Sequence, residues 1–96
     1  MRSQNEMLLK DVLSNMIKEY RLKANLNETK IRSCWEEVMG KSIANYTTKI
    51  ELKKNILILN ISSASLSQEL SFRKEKIMQL VNEKLGEKCV AEVQIY

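Results

Sequence analysis

The apolar residues of this chain repeat first with a helical period, then with a strand period, and the points where the period changes set the order of its elements. Leu9, Val12, Leu13, Met16, Ile17 and Tyr20 recur at three- and four-residue spacing, which places them on one side of an α-helix. Ser3 and Glu6 form an S-x-x-E capping box ahead of them, so the first helix is predicted over about residues 4–24. Its other face carries Lys10, Asp11, Ser14, Asn15, Lys18 and Arg21 and reads as solvated. Asn27 is positioned to cap a second helix with the stripe Ile31, Cys34, Trp35 and Val38, and Gly40 marks its end. The short polar joint at Asn25–Asn27 favours an αα-hairpin or a corner.

From Thr47 the period falls to two, with Thr48, Ile50 and Leu52 on one side and Lys49, Glu51 and Lys53 on the other. Lys53, Lys54 and Asn55 then interrupt the pattern before the run Ile56–Ile61, so a β-hairpin is expected. The second strand has two apolar sides, Leu57/Leu59/Ile61 and Ile56/Ile58. It is therefore central and covered twice, or one of its sides is partly open. Residues 62–65 supply an N-cap for a third, long helix with the stripe Leu66, Leu70, Ile77, Leu80, Val81 and Leu85, stopped by Gly86. At 100° per residue Phe72 falls off this stripe and Arg73 falls on it, so an irregularity near residues 71–74 is preferred over Phe72 reaching another surface. Cys89, Ala91, Val93 and Ile95 alternate with Val90, Glu92, Gln94 and Tyr96 in a last strand. A strand–helix–strand connection is right-handed, so this strand should run parallel to the second. The predicted fold is α+β, in the order α-α-β-β-α-β: a three-stranded mixed sheet with helices mainly on one face. All 96 residues are read as one domain with no second domain or tail.

Composition removes whole classes of function. There is no histidine, so an acid–base catalyst would need a carboxylate, lysine, tyrosine or cysteine of perturbed pKa. Glu36 and Glu37 are adjacent and project about 100° apart on a helix, which does not converge two carboxylates on one substrate. Glycines number two, Gly40 and Gly86, and neither a dinucleotide fingerprint nor a phosphate-loop motif is present. Cys34 and Cys89 lack the spacing and the partners of a zinc site and read as small buried hydrophobes. No enzyme, cofactor or metal is expected. No apolar run reaches the roughly 20 residues of a membrane span, and the N-terminus lacks a signal-peptide pattern, so a cytoplasmic location without membrane contact is expected.

A net charge of +4 permits contact with phosphate without demanding it. The basic residues cluster at Lys53 and Lys54 on the expected hairpin tip, at Arg73, Lys74 and Lys76 in the third helix, and at Lys41 and Lys49 beside the first strand. These seven are the candidate nucleic-acid-binding residues. Glu51, Glu69 and Glu75 interrupt them, and the aromatics Tyr20, Trp35, Tyr46, Phe72 and Tyr96 do not form a stacking platform. Trp35, on the stripe of the second helix, reads as core.

The stretch from Trp35-Glu36-Glu37-Val38-Met39-Gly40-Lys41-Ser42-Ile43-Ala44-Asn45-Tyr46-Thr47, with Leu57-Ile58-Leu59-Asn60-Ile61-Ser62-Ser63 and Gln68-Glu69-Leu70, resembles the DciA family of bacterial proteins. The resemblance extends from the first helix to Val93-Gln94-Ile95. It implies a KH-like domain without a G-x-x-G loop that assists the replicative DNA helicase in loading onto or operating on DNA. Tyr46 stands where the family often has histidine, Leu66 where it often has tryptophan, and the tail of many relatives is not expected here. The leading expectation is a non-enzymatic adaptor that contacts the replicative helicase, and DNA through its basic residues. The alternatives are an RNA-binding KH-like module, and a structural interaction domain without nucleic acid, for instance a homodimer through the Ile56/Ile58 side or a strand edge.

Overall fold

The computed structural model describes the backbone of residues 2–96 and the side chains from Leu8 onward; the expected capping box of Ser3 and Glu6 lies outside the described side chains. The order is α1 (Arg2–Met39), α2 (Lys41–Tyr46), β1 (Thr47–Lys53), β2 (Ile56–Ile61), α3 (Ala64–Ser71), α4 (Lys74–Leu85) and β3 (Glu92–Ile95). The α+β class and the three-stranded mixed sheet stand as expected.

The first half of the chain differs from expectation. The two predicted helices are one helix, α1, of 38 residues. At ~1.5 Å per residue this spans roughly 57 Å, which accounts for most of the 62 Å long axis against 22 and 20 Å across. No hairpin or corner forms because the Asn25–Asn27 joint holds neither glycine nor proline, and an asparagine costs a helix only about 0.7 kcal/mol relative to alanine. Asn27 is not a cap: it is 7% exposed inside the helix, and its amide donates to Glu87 Oε1 at 3.0 Å. That bond ties mid-helix to the loop after α4 and stabilises the helical conformation at the joint. Beyond it Ile31 and Trp35, at 0% and 3% exposure, anchor the second half of α1 in the core.

Gly40 takes φ 93°, a conformation open to glycine, and lets the chain turn into the short α2. α2 ends at Tyr46, and β1 begins at Thr47. The β1–β2 register slips between Thr47 and Lys49, and this bulge inverts the expected phase at the start of the strand. Thr47, rather than Thr48, faces inward: its Oγ1 accepts the Trp35 indole N–H at 3.0 Å and donates to the Ile43 carbonyl at 2.7 Å. Thr48 is exposed. Past the bulge Ile50 and Leu52 point to the core as expected.

The sheet order is β1-β2-β3, antiparallel then parallel, so the crossover argument holds. Leu57, Leu59 and Ile61 are buried against the helices, whereas Ile56 and Ile58 are half-buried. β2 is thus central with one side partly open. The outer edge of β1 is closed by α1: Leu52 N–H donates to Glu28 Oε1 at 2.8 Å, and the Arg32 guanidinium, paired with Glu28 at 3.0 Å, donates to the Ile50 carbonyl. Side chains thereby satisfy backbone groups that otherwise template strand addition.

The long third helix is broken where irregularity was expected. α3 ends with the Phe72 and Arg73 N–H groups donating to the Glu69 and Leu70 carbonyls respectively, and α4 restarts at Lys74. Arg73, placed on the stripe by periodicity, is exposed. Gly86 closes α4 in the left-handed conformation, φ 76°. The last strand is shorter than its alternating pattern: the buried residues of that segment are Cys89, Val90 and Val93, and Ala91 is exposed. Asn82 explains the shift, because its side chain accepts from Val90 N–H and donates to the Val90 carbonyl, both at 2.9 Å, holding the segment off the sheet until Glu92.

Candidate functional site

Of the seven basic candidates, Lys49 and Lys53 converge on one carboxylate. Both alternate outward from β1 onto the open face of the sheet, and their ammonium groups lie 2.7 and 3.0 Å from the two oxygens of Glu51 between them. Hydrogen bonds from Lys49 and then Lys53 hold the Glu51 carboxyl at about 2, well below the ordinary carboxylate range. A phosphate reaching either lysine there must displace Glu51, so this pair is a structural triad as much as a binding group.

Lys54 sits at the hairpin tip, where it and Asn55 adopt φ 51° and 64°. Two consecutive positive φ values make a type I′ turn, which matches the twist of the flanking strands. Lys41 opens α2 and borders none of the hollows lined by the other candidates. Among the described residues Lys41, Lys54, Lys74 and Lys76 make no ion pair.

Arg73, Lys74 and Lys76 do come together. They line one shallow hollow with Ser71, Phe72 and Gln79 at the α3–α4 corner. Arg73 reaches back to Glu69 at 3.5 Å, four residues earlier. Phe72 is 83% exposed, the most exposed large apolar residue described. Leu70 and Ile77, at 3% and 2% exposure, pin the two helices from inside; Phe72, two residues past Leu70 and so rotated by about 200° on a helix, is forced outward. Lys74 also borders a second hollow with Met78 and Glu92. Glu92 pairs with Ile56, which pairs with Lys53, so Lys53 stands two strands, roughly 10 Å, from Glu92. The hairpin and corner groups therefore occupy the same end of the sheet.

Sequence reasoning did not single out the other exposed feature. From Leu8 to Lys23 every residue of α1 is exposed, and the stripe expected to be covered lies open. Leu9, Val12, Leu13, Met16, Ile17 and Tyr20 are each 50–61% exposed. An apolar stripe this long on a helix needs a partner surface. Near its base lies a cleft of about 380 Å³ bordered by Tyr20, Lys23, Asn27, Glu87 and Lys88. There the Asn27 amide, then Lys23 at 3.3 Å, lower the Glu87 pKa. The sign that could have revealed the arm is the missing helix breaker between residues 24 and 28.

No group of three or more His, Cys, Asp or Glu side chains among the described residues could hold a metal ion. Burial raises the thiol pKa of both Cys34 and Cys89.

Compared with known proteins, residues 8–95 match the family described as Dna[CI] antecedent, DciA. The chain belongs to the DciA family. A UPF0232 protein of Corynebacterium glutamicum (strain R) is 29% identical over 66 residues, 69% of this chain. The chain spans 37% of that relative's length. DciA proteins are bacterial replication factors associated with the replicative helicase, a family of helicase-loading adaptors rather than a known class of enzyme. No described helix is long and apolar enough to cross a membrane.

Proposed function

We propose that this protein is a non-enzymatic adaptor of the replicative helicase, with the projecting half of α1 as its protein-docking element and the basic end of the sheet as its DNA-facing element. The observation that carries this reading is the uncovered stripe from Leu9 to Tyr20. An amphipathic helix presenting apolar anchors at three- and four-residue spacing fits a hydrophobic groove on a partner, and family membership supports the helicase as that partner. Lys54, Lys74 and Lys76, uncommitted to any ion pair, are the DNA contacts best supported by geometry; Arg73, Lys53, Lys49 and Lys41 extend the set. The KH-like character implied by the resemblance belongs to the same proposal.

The test is co-elution with the replicative helicase of the source bacterium. Leu13 and Ile17 are 50% and 52% exposed, and burying the open half of each contributes on the order of 1 kcal/mol. The Leu13→Glu, Ile17→Glu variant is expected to lower helicase affinity by roughly 10- to 100-fold while the far-UV spectrum and Tm stay unchanged. Undiminished binding would refute the arm as docking element. Light scattering on the same samples covers the remaining occupant: a parent dimer that these substitutions dissociate would assign the stripe to a second copy of this chain.

A further inference from the structure

We infer that the α3–α4 corner is a single-stranded DNA subsite in which Phe72 stacks on one base and Lys74, Lys76 and Arg73 hold the adjoining phosphates. This rests on the reading that the chain contacts DNA, and it adds which strand form is bound and by which chemistry. Phe72 contributes almost nothing to the core at 83% exposure, and it projects outward between two buried anchors, Leu70 and Ile77. Its backbone is fixed, since the Phe72 N–H donates to the Glu69 carbonyl at 3.2 Å and the Arg73 N–H to the Leu70 carbonyl at 2.9 Å.

A flat ring presented in this way offers a π-face to another π-face. In a duplex the base faces are occupied by their neighbours, and only a single strand exposes them. Three cations line the same hollow as the ring. Among the described residues Lys74 and Lys76 make no ion pair, and Arg73 is held by Glu69 through an exposed pair at 3.5 Å that a phosphate can replace. Glu75 lies within the hollow and keeps its net charge small, so stacking rather than charge dominates discrimination between strand forms. One ring and three cations read no base edge, hence the subsite tolerates any sequence.

The experiment compares the parent chain with Phe72→Ala, Phe72→Trp and the double variant Lys74→Ala, Lys76→Ala by fluorescence anisotropy, using a labelled thymidine 20-mer and a labelled 20-base-pair duplex at two salt concentrations. Phe72→Ala is expected to weaken single-strand binding roughly 5- to 150-fold, the range of one base–aromatic stack, and duplex binding less than 2-fold. Phe72→Trp is expected to retain or raise single-strand affinity. The lysine double variant should lower the single-strand salt slope by about 1.4, at ~0.7 per phosphate contact. A parent that binds the 20-mer while Phe72→Ala binds it equally well overturns the inference and leaves DNA contact standing. So does an equal loss on both probes. A parent that binds neither probe at about 50 mM salt removes DNA contact itself. Unchanged thermal melting of Phe72→Ala excludes unfolding as the cause of any loss.

Discussion

The bulge after Thr47 makes adjacent threonines opposite in consequence, and replacing each with valine tests that directly. Thr47→Val keeps the shape of the side chain but removes the oxygen that accepts from the Trp35 indole and donates to Ile43, bonds of 3.0 and 2.7 Å. The Trp35 ring is 3% exposed, so its N–H has no route to water. A buried donor left without a partner costs about 1–3 kcal/mol. The Ile43 carbonyl belongs to a half-buried residue, where water can take the place of the lost hydroxyl, and adds little. The expected loss is thus about 2 kcal/mol, a fall in Tm on the order of 8–16 °C for a domain of this size. Thr48→Val removes only an exposed bond to the Asn60 carbonyl at 3.2 Å, and valine favours strands, so its effect should stay within about 0.5 kcal/mol. Urea unfolding followed by far-UV circular dichroism gives both values. Trp35, the only tryptophan, reports the site independently by its emission. Thr47→Ser should recover most of the loss, because it restores the hydroxyl. The bulge assignment fails if Thr48→Val is the more costly substitution, as plain alternation along the strand requires.

Further outcomes follow from the same geometry. Leu13→Gln with Ile17→Gln should change unfolding free energy by less than about 1 kcal/mol, since neither side chain packs on the domain; a stripe buried in an αα-hairpin would lose about 2–5 kcal/mol per site, so chemical denaturation separates the two arrangements. Glu51 should titrate at about 2 by carboxyl NMR. Because its folded pKa lies below the unfolded value, its stabilising effect is complete above the ordinary carboxylate range and fades as pH falls towards 2; a midpoint near 4.5 would mean that the Lys49–Glu51–Lys53 triad does not form in solution. Replacing Lys54-Asn55 with Asn-Gly relieves two positive φ values and should raise stability by about 1 kcal/mol in a thermal melt.

What could be read from the chain and what could not divide along a physical line. The strands, the hairpin, the crossover and the helix ends at Gly40 and Gly86 follow from local signals: a period of two, a turn of polar residues, and glycines that adopt positive φ. Each is decided within a few residues and does not depend on distant packing. The continuous α1 depends instead on Asn27, whose role rests on a bond to Glu87, 60 residues away. Nothing local distinguishes an asparagine that caps a helix from one that crosses it. The same holds for Thr47: the pattern of alternation is blind to a bulge, and only the position of the Trp35 indole reveals which threonine turns inward.

The basic residues illustrate a further difference. Their exposure was legible from charge, but their availability was not, because that depends on which carboxylates they meet. Lys49 and Lys53 lie on either side of Glu51 in the sequence, and a strand period of two places all three on one face, so their neutralisation follows once the strand is granted. Lys74 and Lys76 also have an acidic neighbour between them, Glu75, yet on a helix consecutive residues diverge by about 100° and the three do not form a triad. A glutamate between two lysines therefore yields a closed ion cluster on a strand, where Lys49, Glu51 and Lys53 alternate onto one face, and two uncommitted cations on a helix, where Lys74, Glu75 and Lys76 are consecutive. Under the proposed DNA-binding reading, that contrast favours the α3–α4 corner over the open face of the sheet as the place for a phosphate backbone, and it is at this corner that Phe72 stands exposed.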